Sequence, residues 1–158
     1  MDKIVKSSDI STVSKKTSSN KIVLAGGCFD LLHPGHHLFL QSAKEQGTLL
    51  VILLESDEMI TKRKGRARPI QTQMERAAHL AELEDVDYII LLASSMEDQD
   101  YDKLVSTIKP AIIATTKGDP YRHHKERQAQ IVNATVIDVI ERLPQYSTTN
   151  TIKKYENK

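Results

Sequence analysis

Short apolar runs alternate with helix-like segments along most of this chain, and that alternation limits the fold more than any other sequence feature. The apolar runs contain few polar residues, which is typical of strands covered on both faces. They cover residues 22–25, 48–54, 86–92, 111–115 and 135–140. The helical segments cover residues 36–46, 72–84, 101–108, 123–133 and 147–155. Alternating strands and helices predict parallel crossovers, and therefore a single doubly wound α/β domain with a five-stranded parallel sheet.

The first twenty residues differ from the rest of the chain. They are rich in Ser and Thr and contain no aromatic residue. Ser8 could cap a short helix through Lys16, or the segment could be a disordered tail, and both interpretations stay open. We therefore divide the chain into an N-terminal extension, residues 1–20, and a domain, residues 21–158.

Composition excludes several classes of function. Lys and Arg total 22 and Asp and Glu total 21, so the net charge is only +1, and the aromatic residues are five Tyr and two Phe. This gives neither the basic stripe nor the stacking platform of a nucleic-acid-binding protein. The longest apolar run, Leu49–Leu54, is too short to span a membrane, and no apolar signal segment is visible near the N-terminus. One cysteine, Cys28, cannot form an internal disulfide. We expect a cytoplasmic protein that binds neither nucleic acid nor membrane.

The connection between the first strand and the first helix carries the most informative motif, GCFDLLHPGH, which starts at Gly27. Such a connection binds phosphates in α/β sheets, because the helix N-terminus offers unpaired N–H groups and a positive dipole end. Gly35 allows close approach of the backbone, and His33 and His36 can donate hydrogen bonds to a triphosphate. A zinc site is the other functional interpretation, but it needs further ligands, so we predict no metal bound by side chains. We expect Asp30 to orient the turn.

This motif resembles the HxGH signature of the nucleotidyltransferase superfamily, in its cytidylyltransferase-like branch. The resemblance covers roughly residues 21–154 and implies a Rossmann-like fold. It also implies catalytic roles for His33 and His36. Nucleotide contacts from the same connection would come from Gly27, Cys28, Phe29 and Gly35.

A second motif lies in the basic segment after the second strand, which we predict to be a loop over Lys62–Arg68. Together with Arg68–Ile70 and Glu75–Arg76, it resembles the KxKG…RP…ER segment of the same enzymes. The resemblance implies that Lys64 reaches the phosphates and acts in catalysis, with Lys62 as a second candidate. It also places Arg76 near the nucleotide. Taken alone, this segment is more typical of a solvated basic loop.

Two further motifs follow the fourth and fifth predicted strands. Ser147, Thr148 and Thr149 resemble the STT that holds the β- and γ-phosphates in this family. Arg142 matches the spacing of an arginine found in glycerol-3-phosphate cytidylyltransferases, although the glycine of that motif is missing. The turn formed by Lys117, Gly118 and Asp119 resembles the KGGDY segment of heptose-1-phosphate adenylyltransferases, with one glycine absent, and would border the base.

The combined motifs are most similar to the heptose-1-phosphate adenylyltransferases. The implied reaction transfers a nucleoside monophosphate from ATP (or CTP) to a phosphorylated small molecule, with Mg²⁺, and releases pyrophosphate. Glycerol-3-phosphate cytidylyltransferases and FAD synthetases share parts of the pattern and stay open as alternatives. So does a nucleotide-binding regulatory domain without turnover. The family often forms dimers, so the resemblance also implies that a homodimer is compatible with this chain.

Overall fold

Six parallel strands form one sheet among the residues that the computed structural model describes, which are 2–17, 19–141, 149 and 152–153. The strands are β1 (Ile4–Lys6), β2 (Ile22–Gly27), β3 (Leu49–Leu54), β4 (Tyr88–Leu91), β5 (Ile112–Thr116) and β6 (Thr135–Ile140). Their order across the sheet is β1-β4-β3-β2-β5-β6. This confirms the α/β class with a parallel sheet.

The prediction of five strands was wrong, because β1 supplies a sixth. This strand is only three residues long and lies at the edge of the sheet, where it pairs with β4 through Ile4 and Ile89. Two apolar residues followed by a lysine are too short a run to distinguish from a polar tail. A 3₁₀ turn (Ser7–Asp9) and the helix α1 (Ile10–Thr17) follow the strand.

The remaining helices are α2 (Pro34–Lys44), α3 (Asp57–Lys64), α4 (Gln73–Ala81), α5 (Asp98–Ile108) and α6 (Arg122–Val132). The helix predicted over residues 36–46 is confirmed as α2, which starts two residues earlier, at Pro34, and ends two residues earlier, at Lys44. Gly47 follows this helix and lies close to the backbone of Lys21. A Cβ at position 47 would lie 2.6 Å from the carbonyl oxygen of Lys21. No side chain fits in that space, so the sequence needs glycine where the chain turns from α2 into β3.

Two apolar clusters cover the two faces of the sheet, as the unbroken apolar strands require. On one face, Val23 and Ala25 of β2 pack with residues of α2 and α4, such as Leu40 and Leu80. On the other face, Leu24 of β2 packs with the second cluster, which includes residues of α1, α5 and α6. Successive strand residues thus point to opposite layers.

The segment predicted as a basic loop over Lys62–Arg68 is partly helical, because α3 extends to Lys64. Ser56 caps this helix by accepting a hydrogen bond from the Met59 amide. Acidic residues occupy its first turn and basic residues its last, which suits the helix dipole. Ile60 is the one buried residue of α3, so the segment lacks the apolar periodicity by which a helix is recognised in a sequence.

Candidate active site

The neighbouring strands β2 and β5 lead to helices on opposite faces of the sheet. The helix after β2, α2, packs in the first apolar cluster, and the helix after β5, α6, packs in the second through Ala129. A place where two neighbouring strands lead to opposite faces is a topological switch point. In doubly wound sheets, ligands bind in the crevice that opens there, outside the carboxyl ends of the strands. The loop of residues 27–33 and the connection of residues 117–121 both begin there.

His33 and His36 cap the first turn of α2 through each other's side chains. The Nδ1 atom of His33 accepts a hydrogen bond from the His36 amide at 3.3 Å, and Nδ1 of His36 accepts one from the His33 amide at 3.2 Å. The two rings stack with their centroids 3.7 Å apart. Because each Nδ1 is an acceptor, each neutral ring carries its proton on Nε2. Each ring of the pair therefore carries one Nε2–H donor.

Both histidines are held in the neutral form. Burial, followed by the nearby charges of His33, His37 and Lys64, lowers the pKa of His36 to about 3. Burial, followed by the charge of His37, also lowers the pKa of His33. Neutral Nε2–H groups at a helix N-terminus suit an anion, whose negative charge would raise both pKa values on binding. The arrangement can therefore bind an anion such as a phosphate, and its donors would strengthen as negative charge develops.

Residues 27–36, which carry the histidine pair, form what we call the histidine loop. Asp30 fixes this loop to the segment that precedes α4. Its buried carboxylate accepts hydrogen bonds from the amides of Ile70 (2.7 Å) and Gln71 (3.0 Å). The guanidinium of Arg68 lies 3.5 Å from the same carboxylate. The Gln71 side chain in turn accepts a hydrogen bond from the Leu31 amide at 3.1 Å. Asp30 thus has the orienting role expected from the sequence.

Arg76, on α4, stabilises the same loop through hydrogen bonds. Its side chain is fully buried and donates to the carbonyl oxygens of Cys28 (2.8 Å) and Gln71 (3.1 Å) and to the carboxylate of Asp57 (2.7 Å). The sequence resemblance placed Arg76 near the nucleotide. Here the guanidinium is directed at protein groups, so its role is to position the histidine loop.

The backbone of the histidine loop is strained at two bulky residues. Phe29 (φ 48°) and Leu31 (φ 51°) both adopt the left-handed conformation, which non-glycine residues rarely do. The ring of Phe29 is buried beside His36, with centroids 5.5 Å apart. Strain of this kind persists where the surroundings hold the chain firmly and is common at functional sites. The Phe29 side chain, for its part, packs against the ring of His36.

The basic end of α3 reaches the histidine loop through one residue. The Nζ atom of Lys64 lies 3.3 Å from Sγ of Cys28, and the Lys64 charge acts on His36. Lys62 is exposed two residues earlier in the helix, and Gly65 ends the helix with a φ of +100°, which favours glycine. The structure thus brings Lys64 together with Cys28 and His36.

The turn after β5 is held mainly by its own surroundings. Asp119 accepts hydrogen bonds from Thr115, the Tyr121 amide and Lys125. Burial works to raise the pKa of Asp119, but these hydrogen bonds outweigh it and lower the pKa. Lys117 is exposed and lies 3.6 Å from Glu141, while Gly118 has a φ of +82°. The turn borders the crevice beside β2, and its fixed carboxylate serves the local fold.

Three predicted site residues, Arg142, Ser147 and Thr148, lie outside the described residues. Thr149 is described, and it is helical and exposed.

Two interactions at this edge of the sheet have no signal in the sequence. Gln73 donates to the carbonyl oxygens of Leu54 (3.0 Å) and Leu92 (3.1 Å), so it joins the ends of β3 and β4. Glu55 binds the guanidinium of Arg63 with both carboxylate oxygens. Neither pairing follows a helical or strand spacing, so no local pattern could have indicated it.

Within the described residues, no group of three or more His, Cys, Asp or Glu side chains could hold a metal ion. No helix in the same part of the chain is long and apolar enough to cross a membrane.

Sequence comparison agrees with this geometry. The family model described as cytidylyltransferase-like matches residues 24–154. A bifunctional protein HldE from Aliarcobacter butzleri is 38% identical over 136 residues, which are 86% of this chain and 27% of that protein. The protein of the same name from Helicobacter hepaticus is 36% identical over 154 residues, 98% of this chain and 30% of the relative. The chain thus spans less than a third of the length of these curated relatives.

Solved structures share the architecture. The lipopolysaccharide core biosynthesis protein from Thermoplasma volcanium superposes with a TM-score of 0.61 and 29% identity, covering 82% of this chain and all of that chain. The pantoate–beta-alanine ligase from Francisella tularensis superposes with a TM-score of 0.66 over 94% of this chain and 72% of that chain. Its identity is 15%, so it shows the fold alone.

Proposed function

The chain belongs to the cytidylyltransferase-like family, and on that basis we propose that it is a nucleotidyltransferase that transfers AMP from ATP to a sugar 1-phosphate of the D-glycero-D-manno-heptose 1-phosphate type. The observation that carries the proposal is the mutually capped pair of His33 and His36 at the N-terminus of α2. The similarity to HldE proteins and to a lipopolysaccharide core biosynthesis protein supports a sugar phosphate as the acceptor.

In this reaction, a phosphate oxygen of the acceptor attacks the α-phosphorus of ATP. A new P–O bond forms while the bond to the bridging α–β oxygen breaks, and pyrophosphate leaves in line. The acceptor phosphate is already a nucleophile near neutral pH, so no activated Ser or Cys is required. Catalysis is then positioning and charge stabilisation. Cys28 contributes its backbone and a contact to Lys64.

The Nε2–H groups of His33 and His36 would donate to the phosphates and strengthen as charge moves to the leaving group. Lys64, placed at Cys28, would neutralise part of that charge, with Lys62 assisting. Gly27 and Gly35 would allow the phosphates to approach the backbone closely. Arg76 acts on this site only through the loop that it holds.

The remaining predicted contacts complete the proposal. The turn of Lys117, Gly118 and Asp119 would border the base. Ser147, Thr148 and Thr149 would hold the β- and γ-phosphates. Arg142 would contact the nucleotide in a CTP-dependent enzyme.

Magnesium would enter with the nucleotide. Since the described residues contain no cluster of metal ligands, Mg²⁺ would take its ligands mainly from phosphate oxygens and water, as it commonly does at phosphate sites. Its contribution would be to neutralise charge on the triphosphate. A homodimer also stays a prediction.

The test is pyrophosphate release with Mg²⁺, with ATP and CTP each combined with heptose 1-phosphate, glycerol 3-phosphate and FMN. We expect turnover with ATP and heptose 1-phosphate. Turnover only with CTP would identify a cytidylyltransferase, and turnover with ATP and FMN would identify an FAD synthetase. ATP binding without pyrophosphate release for any acceptor would contradict the proposed activity and favour a regulatory domain.

A further inference from the structure

An ion pair between Glu55 and Arg63 lies beside the histidine loop. The Nη1 and Nη2 atoms of Arg63 lie 2.9 and 2.7 Å from the two carboxylate oxygens of Glu55, in a fork-to-fork arrangement. The Glu55 amide donates to the carbonyl oxygen of Gly27 at 3.1 Å. The pair therefore starts next to the first residue of the phosphate-binding motif, and Lys64 follows Arg63 directly.

Two tyrosines from other connections approach this pair. Tyr101, half-buried on α5, is close enough for the charges of Glu55 and Arg63 to act on its phenol. Burial is the main cause that raises the pKa of Tyr101 to about 12, so its hydroxyl is neutral. Tyr121, which is 52% exposed at the start of α6, lies close enough to Arg63 to contribute, after Glu55, to the raised pKa of its guanidinium. The pair is thus bordered by the connections that follow β4 and β5.

The hydrogen-bonding capacity of this pair is only partly used. Two of the five guanidinium N–H donors of Arg63 bind Glu55, and the carboxylate keeps further lone pairs. The pair has no net charge, so it does not attract a further phosphate as Lys64 does. It can instead donate to and accept from neutral hydroxyl groups. Such a combination suits a polyol.

We propose that Glu55 and Arg63, together with the Tyr101 hydroxyl, bind the hydroxyl groups of the acceptor and select a sugar phosphate over acceptors that lack those hydroxyls. The inference rests on the proposed function and assigns the acceptor side of the same crevice. In this arrangement the phosphates are bound by His33, His36 and Lys64. The sugar hydroxyl groups are bound by the neighbouring ion pair of Glu55 and Arg63.

The experiment compares Glu55→Gln and Tyr101→Phe with Arg66→Gln, a control that removes an exposed charge from the same basic segment. Calorimetry measures binding of heptose 1-phosphate in the presence of α,β-methylene-ATP, and binding of that nucleotide alone. Pyrophosphate release gives kcat and KM. We expect Glu55→Gln to weaken heptose 1-phosphate binding and raise its KM by about tenfold or more, as for a lost charged hydrogen bond. Tyr101→Phe should weaken binding by about threefold to tenfold.

Nucleotide affinity should stay within about twofold of the wild type in all three variants. A purely structural ion pair would lower the melting temperature and leave the KM for heptose 1-phosphate unchanged, which would overturn the inference. An equal loss of nucleotide affinity would overturn it as well. If Glu55→Gln does not fold, Tyr101→Phe decides the question. Wild-type protein that neither binds heptose 1-phosphate nor releases pyrophosphate would refute the proposed function itself, whereas an active wild type with unchanged variants refutes the inference alone.

Discussion

The histidine loop (residues 27–36) and the basic segment (residues 62–66) meet at one crevice but are held in opposite ways. The loop is fixed by the side chains of Asp30 and Arg76, both 0% exposed, through hydrogen bonds to backbone groups. In the basic segment, Lys62, Lys64 and Arg66 are exposed. Lys64 reaches the loop through the Cys28 sulfur, a weak acceptor.

This difference indicates a division of labour. Donors held in place before the substrate arrives need no reorganisation during the reaction, which is how preorganised sites lower a barrier. An exposed ammonium group contributes charge and adapts its position to the ligand. Changes in the groups that fix the loop should therefore affect folding and turnover strongly, while a change at Lys64 should affect nucleotide binding and leave stability intact.

The largest effect is expected where the loop is fixed. Asp30→Ala removes the acceptor of the Ile70 and Gln71 amides and leaves Arg68 without its carboxylate. We expect a loss of about 3–5 kcal/mol in the free energy of unfolding, as for other broken buried charge pairs. Urea denaturation measures it.

The control for Asp30 is Glu82→Ala, an exposed acidic residue at the end of α4, which should change stability by less than about 0.5 kcal/mol. If the two variants were equally stable, the loop would not depend on Asp30.

The next effect separates the capping function of His36 from its donor function. In His36→Asn, the side-chain oxygen can take the place of Nδ1 and accept the His33 amide, but the Nε2–H donor is lost. We expect turnover to fall about a hundredfold, which is the typical loss for one preorganised donor, with little change in melting temperature. Pyrophosphate release and thermal denaturation measure the two effects.

His37→Asn is the matched control, since His37 is the exposed neighbour on the same helix. It should keep turnover within about threefold of the wild type. Normal turnover in His36→Asn would remove His36 from the proposed mechanism.

Sequence patterns predicted the layered fold and the histidine pair because both depend on local order. Apolar runs indicate strands, and Pro34 indicates the start of α2. The positioning role of Arg76 could not be predicted in the same way, because its partners Cys28 and Asp57 are 48 and 19 residues away in the sequence. The three-residue strand β1 was missed because its pairing with β4 depends on contacts distant in sequence.

The basic segment should show the complementary behaviour. Lys64→Met removes the ammonium group beside Cys28, and we expect nucleotide affinity to fall about tenfold, as for the loss of one charged contact. The free energy of unfolding should stay within about 0.5 kcal/mol of the wild type. Calorimetry with α,β-methylene-ATP measures the affinity, with Arg66→Gln as control. A large loss of stability instead would place Lys64 in the fixed part of the site.

The smallest effect is the pH dependence that the buried histidine loop adds to stability. The pKa of His36 is about 3 in the folded protein and 6.5 when unfolded. Between these values the unfolded state binds the additional proton, so stability is lost as the pH falls below 6.5, by at most about 1.4 kcal/mol per pH unit for one histidine. The lowered pKa of His33 acts in the same direction. Urea denaturation at pH 7.5 and pH 5.5 should therefore show that the wild type loses about 1 kcal/mol more than His36→Asn, which has no imidazole at this position. Equal losses in the two proteins would mean that His36 already accepts a proton in the folded state. The loop would then lack the neutral, preorganised donor that distinguishes it from the basic segment.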